Sequence, residues 1–240
     1  MLTLGMAQTS LALHSLNRII ALSNLKAVKM EQKILSMALM LLSLVTTACG
    51  QAKPTENQTK EDSIMEKKIL TVFFSMKGET YMAGGRIENL EKGNTNVCAE
   101  FIQKAVGGDL FEIETTKVYS KDHFKMIEEA KVEMQSGEKA QPKHWLDNLE
   151  SYDVIFVGYP IWWGTYPPII NTFLEHYDLT GKTIIPFSTS EGSGLLNTVA
   201  ELREVCKGAT VTEALAIRGS QARQSEKKVS EWAKKMISNL

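Results

Sequence analysis

The stretch Asp153–Pro168, DVIFVGYPIWWGTYPP, limits the architecture of this chain more than any other. Val154 to Val157 is an unbroken apolar run, as expected for a strand buried on both faces of a parallel sheet. Gly158 and Pro160 end the run, the adjacent tryptophans Trp162 and Trp163 follow, and Pro168 suits the first position of a helix. A buried strand that gives way to a rigid aromatic loop and then a helix sets flat apolar surface at the carboxyl edge of the sheet. Ligands of open α/β sheets bind at that edge. The bland alternative is that both tryptophans only fill the core or an interface.

Apolar runs and helical stripes alternate on either side of this stretch. Strands are expected at Ile69–Ser75, Asp109–Glu114, Val154–Val157, Thr183–Ser188 and Ala209–Ile217. Between them, Val97, Cys98, Phe101, Ile102, Ala105 and Val106 share a helix face closed by Gly107-Gly108. Phe124, Ile127 and Ala130 mark a second helix, and Ile169, Ile170, Phe173, Leu174 and Tyr177 a third. Leu195, Leu196, Val199, Leu202 and Cys206 mark a fourth. Val229, Trp232, Ala233, Met236 and Ile237 stripe the last. Strict β/α alternation implies right-handed crossovers, and hence a three-layer, doubly wound, five-stranded parallel sheet over residues 68–240.

The 240-residue chain has a net charge of −1, which supplies no basic field for nucleic acid. Four basic side chains (Arg18, Lys26, Lys29, Lys33) and a single acid, Glu31, fall within residues 1–48, so the remainder is mildly acidic. Residues 30–49 read as an export signal: Lys33, an apolar segment from Ile34 to Val45, then Thr-Thr-Ala before Cys49. The apolar segment is shorter than the roughly 20 residues of a comfortable span. The cysteine after small residues resembles a bacterial lipobox, with Thr46 where that motif usually carries Leu; the resemblance implies lipidation of Cys49. On this reading translation begins at Met30, residues 1–48 hold the signal, and the polar segment 49–67 is a flexible tether. A start at Met65 would instead give a cytoplasmic protein. Cys98 and Cys206 lie in helices, outside any CxxC pair, and are expected to be small core residues.

Three loops leave the carboxyl ends of strands one, three and four. The first carries Ser75, then Asn94 and Thr95 just before a helix, where hydroxyls and free backbone N–H groups suit a phosphate. The second is the aromatic loop, and the third presents small polar groups around Glu191–Gly194. A phosphate cradle beside an aromatic slot points to a flat heteroaromatic mononucleotide. Other chemistries lack their residues. Ser193 sits in Glu-Gly-Ser-Gly rather than Gly-x-Ser-x-Gly, Gly164 is followed by Thr165 rather than a Walker lysine, and no GxGxxG follows the first strand. A phospho-receiver site would need acids where the first strand ends in Phe-Phe-Ser, and the four histidines are too scattered to suggest a metal.

Ser75…Gly93-Asn94-Thr95, Gly158-Tyr-Pro-Ile-Trp-Trp-Gly164 and Ile185-Pro-Phe-Ser-Thr-Ser-Glu-Gly-Ser-Gly194 together resemble the flavodoxin-like family. That resemblance implies the strand order 2-1-3-4-5, for which flavodoxin is itself a standard example with FMN at the switch point. It further implies FMN as cofactor, its phosphate near Ser75, Met76, Lys77, Asn94 and Thr95. Pro160, Ile161, Trp162, Trp163 and Gly164 would hold one side of the ring, and Ser190, Glu191 and Gly192 the other edge. One departure stands out: Met76–Lys92 separates the two halves of a phosphate loop that is compact in ordinary flavodoxins. It reads as an insertion that bulges out and returns, leaving open which of Met76, Lys77 or Lys92 touches phosphate.

The function implied is electron transfer through the flavin, with no catalytic acid, base or nucleophile. The alternatives are an FMN-dependent quinone or NAD(P)H oxidoreductase and a flavin-free binding lipoprotein of the same fold. An anchor at Cys49 would place the domain outside the cytoplasm, with an exported redox protein or a membrane quinone as partner.

Overall fold

Apolar residues on both sides of each central strand determine the layering. A computed structural model describes residues 67–240; the signal segment, Cys49 and nearly all of the tether fall outside the described residues. Strands β1 (Ile69–Phe73), β4 (Asp109–Glu112), β5 (Val154–Pro160), β6 (Thr183–Ser190), β7 (Thr210–Val211) and β8 (Leu215–Arg218) pair in parallel, in the order β4-β1-β5-β6 with β7 and β8 both on the outer side of β6. Five positions across the sheet thus follow the expected order 2-1-3-4-5, the last one broken in two. Helices α1 (Asn94–Val106) and α5 (Glu226–Ser238) cover one face; α2 (His123–Ser136), α3 (Pro168–Leu174) and α4 (Thr198–Val205) cover the other.

Alternation within β1 and β5 supplies both cores. Leu70, Val72, Ile155 and Val157 pack toward α2–α4, while Ile69, Phe73, Val154 and Phe156 pack toward α1 and α5. Gly158 is required where β5 meets β6, because a Cβ there would sit 2.2 Å from the Phe187 ring. Cys98 and Cys206 are both buried, and burial pushes each thiol up to about 12, so they serve as inert packing groups.

Three expected elements differ from their sequence outlines. The strand expected across Ala209–Ile217 breaks because Ile184 pairs with Val211 but Phe187 with Leu215, one extra residue on the outer strand. Pro186 lies at the step and has no N–H to donate, so an uninterrupted ladder cannot form there. α4 starts at Thr198 rather than Leu195, because Leu196 is left-handed (φ 49°) and exposed while Thr198 caps back onto the Leu195 carbonyl (Oγ1 to O, 2.6 Å). In α2, the expected apolar side holds at Ala130 and at the partly buried Ile127 but not at Phe124. Phe124 is exposed, and Met126, Ala130 and the carboxylate-bearing Glu133 face inward.

Buried phenols give the fold an alkaline limit. Burial raises Tyr159 to about 12 and raises Tyr119 and Tyr166 further still, whereas tyrosine in an unfolded chain ionises near pH 10. Above that pH the unfolded chain loses protons that the folded one keeps, so stability is expected to fall as pH rises past about 10. Urea melts between pH 8 and 11 check this, and Tyr166→Phe is expected to flatten part of the decline.

Candidate functional site

A cleft opens at the carboxyl edge of the sheet, between the segments that follow β1, β5 and β6. Its first wall begins at Ser75, where the chain departs into a two-stranded antiparallel hairpin, β2 (Gly78–Met82) and β3 (Arg86–Leu90), before returning at Gly93. The two ends of this excursion are pinched together. A Cβ on Gly93 would lie 2.2 Å from both Ser75 Oγ and the Met76 carbonyl oxygen. Ser75–Met76 and Gly93–Thr95 therefore behave as one short loop despite the intervening hairpin.

That loop opens directly into α1. Gly93 is the N-cap and offers no side chain, so first-turn N–H groups are not capped from within, apart from Asn96 N–H donating to Ser75 Oγ at 3.1 Å. Asn94 and Thr95 both line the cleft. Thr95 Oγ1 is 2.8 Å from Thr189 Oγ1, tying the loop to β6. Arg223 donates through Nη1 to Asn94 Oδ1 (3.1 Å) and through Nη2 to the Lys92 carbonyl (2.8 Å), which brings a guanidinium to the same corner. Uncapped N–H groups, hydroxyls and a nearby cation suit an anionic group such as a phosphate. Gly93→Ala is expected to cost about 1–3 kcal/mol of stability by forcing Ser75 and Met76 away. It should also weaken binding of a phosphorylated ligand more than that of its dephosphorylated form, which paired titrations would read.

The second wall is a tight turn. Trp162 and Thr165 exchange both backbone hydrogen bonds (2.7 and 3.1 Å) across Trp163 and Gly164, which both have positive φ (48° and 98°) as a type I′ turn demands. The turn sends the two indoles in different directions. Trp162 is 7% exposed, lines the cleft, and packs edge-on against Phe74 (5.5 Å, 90°) and Tyr119 (5.2 Å, 79°). Trp163 is 52% exposed and leans on α2, where its Nε1 donates to the Ile127 carbonyl (2.8 Å) and Lys131 Nζ sits 4.9 Å above its ring. It fastens the turn to α2 and does not line the cleft.

At the third wall, Ser190 and Glu191 reach the cleft. Ser190 Oγ accepts from Gly194 N–H (3.1 Å) and organises its own loop. The Glu191 carboxylate turns to the 3₁₀ segment Gly219–Gln224, accepting from Ser220 N–H and Ser220 Oγ (2.9 Å) with Arg218 Nε 3.6 Å away. Its charge is thereby offset beside a site suited to an anion.

Of the residues expected from sequence, Ser75, Met76, Asn94, Thr95, Pro160, Ile161, Trp162, Ser190 and Glu191 line one cleft. Lys77, Trp163, Gly164 and Gly192 do not: Lys77 is half-exposed opposite Glu112 (4.0 Å), and Gly164 is a turn residue. Several lining residues were not anticipated. Glu79, Thr80 and Tyr81 come from the hairpin, His123, Met126 and Ile127 from α2, and Thr189 and Gly219 from the β6 side. The hairpin residues could have been found from Gly84-Gly85 between two short alternating segments, a hairpin signal. The lining combines polar groups (Ser75, Asn94, Thr95, Ser190) with apolar and aromatic ones (Tyr81, Met126, Ile127, Ile161, Trp162), a mixture that suits a flat ring carrying an anionic tail.

A family model described as flavodoxin matches residues 88–236, beginning inside β3 of the hairpin. A Bacteroides eggerthii protein provisionally described as a flavoprotein is 33% identical, with 70% of this chain and 96% of that chain aligned and a TM-score of 0.56. A second, from Bacteroides uniformis and described in the same terms, is 32% identical over 70% of this chain and 98% of its own, also with a TM-score of 0.56. A Lactobacillus acidophilus flavoprotein, solved in complex with FMN, is 21% identical over 68% of this chain and 99% of its own, with a TM-score of 0.46. Among curated proteins none matches.

Proposed function

The chain belongs to the flavodoxin family, and on that footing we propose that it holds FMN in this cleft and works as an electron-transfer flavoprotein. The observation that carries the reading is the union of an uncapped α1 N-terminus, reached through the pinched Ser75–Met76/Gly93–Thr95 loop, with the buried Trp162 in a single cleft. Ser75, Asn94 and Thr95 would hold the phosphate, Ile161 and Trp162 the ring, and the Ser190–Glu191 segment its edge. When bound, FMN supplies reversible one- and two-electron chemistry. The protein's part is to orient the ring, to keep water from its apolar side through Trp162, Met126 and Ile127, and to set the charge around it. Purified full-length protein is expected to carry flavin absorption with one FMN per chain, and to accept and return electrons under anaerobic titration. Protein that stays colourless after incubation with excess FMN would remove this reading.

The segment ahead of the domain extends the proposal. Cys49 is the lipid attachment point, and the residues after it tether the domain to a membrane surface, where an exported redox protein or a membrane quinone is the partner. Wild-type protein is then expected in the membrane fraction and Cys49→Ser in the soluble one. Finding both in the cytosol would overturn the anchor.

A further inference from the structure

The hairpin occupies the middle of what would be a short phosphate loop, yet it is not a free excursion. β2 is clamped to the start of α2: Glu79 N–H donates to the Lys121 carbonyl (3.0 Å), and Glu79 Oε2 accepts from His123 N–H (3.2 Å). The rings of Tyr81 and His123 lie nearly parallel, 24° apart with centroids at 6.0 Å, and Phe124 meets His123 edge-on at 5.4 Å. Tyr81 and His123 both line the cleft. The imidazole thus packs against two rings, Tyr81 and Phe124, and its Nδ1 is shut off from solvent.

We propose that Tyr81 and His123 form an additional ligand-contacting wall of the cleft, an aromatic surface against which a flat heteroaromatic ring packs. The proposal rests on the FMN reading: the isoalloxazine ring is planar and suits an aromatic wall. It gives the insertion a purpose. The hairpin brings an aromatic wall to the ring end of the cleft, while the contact between Gly93 and Met76 keeps the phosphate end short. The same contact makes the hairpin removable, since joining Met76 to Gly93 deletes residues 77–92 across a gap already closed.

The test uses flavin-free full-length protein titrated with FMN, reading both the dissociation constant and the position of the bound flavin's absorption bands. Tyr81→Ala and His123→Ala are each expected to weaken FMN about 5- to 10-fold with shifted bands, as loss of an aromatic wall should. His123→Phe, which keeps a flat ring at this position, is expected to stay within about twofold of wild type. The chain with Met76 joined to Gly93 is expected to bind about 10-fold or more weakly while still preferring FMN to riboflavin. Wild-type affinity and band positions in both Tyr81→Ala and His123→Ala would overturn the proposal, whether or not the shortened chain folds. A wild-type protein that binds no FMN would overturn the cofactor reading, and this proposal with it.

Discussion

Trp162→Ala is expected to weaken FMN binding about 10- to 100-fold, or ~1.4–2.8 kcal/mol, while Trp163→Ala leaves affinity within about twofold of wild type. The asymmetry follows from the turn between Trp162 and Thr165. Trp162 faces the cleft from within a packed aromatic group, whereas Trp163 stands outside on α2. Truncating Trp162 also leaves a hole beside Phe74 and Tyr119, so the flavin-free protein is expected to lose about 3–5 kcal/mol of stability. Trp162→Phe separates the two effects, since it keeps a flat wall and most of the packing. Trp163→Ala should lower stability by no more than the loss of one hydrogen bond and one exposed cation–π contact, about 1–2 kcal/mol. Flavin titration and urea melts of the three variants read both quantities. Equal affinity losses for Trp162→Ala and Trp163→Ala would contradict the division of labour.

The second large effect is expected at Glu133, well away from any cofactor. Its side chain is wholly buried, and one oxygen accepts from both Tyr119 Oη and Lys117 Nζ, each at 2.6 Å. Burial, followed by the hydrogen bond to Glu133, raises the Tyr119 pKa, so the phenol stays protonated and donates. Glu133→Ala strands the Tyr119 hydroxyl and leaves Lys117 facing an apolar hole, at a cost of about 3–5 kcal/mol. Glu133→Gln preserves the shape and one acceptor and should cost less. Because Tyr119 packs edge-on against Trp162, the Glu133→Ala loss is expected to reach the cleft and weaken FMN binding as well. Combining Glu133→Ala with Tyr119→Phe should cost less than the two separate losses together, because both remove the same hydrogen bond. Strict additivity in urea melts would show that the pair does not act as a unit.

Sequence pattern carried the layers of this fold because its strongest signals are local. The apolar runs of β1, β5 and β6 and the stripes of α1 and α5 are each satisfied by burial on the face their spacing selects. Pro168 opens α3 for an equally local reason, its fixed φ and missing N–H. What stayed hidden depends on partners distant in sequence. Pattern alone favoured Phe124 as an inward residue of α2, but the inward face is chosen by Tyr119 and Lys117, which supply hydrogen bonds that make burying Glu133 tolerable. The break between β7 and β8 reflects Pro186 on the neighbouring strand. For the cleft, Ser75, Asn94, Thr95 and Trp162 were legible from loop position and chemistry. The sidedness of the two tryptophans was not, because it depends on positive φ at Trp163, which residue type alone does not announce. Tyr81 and His123 were missed together: the hairpin was read as an irregular bulge, and His123 becomes a cleft residue only once β2 is clamped onto α2.

One titration tests the central claim, a phosphate cradle and an aromatic slot serving one FMN. Flavin-free full-length protein is titrated in parallel with FMN and with riboflavin, following quenching of flavin fluorescence. The expected result is saturation at one FMN per chain, with riboflavin bound more weakly for want of the contacts at Ser75, Asn94 and Thr95. Equal affinity for the two flavins, or no saturable quenching by FMN, would contradict it.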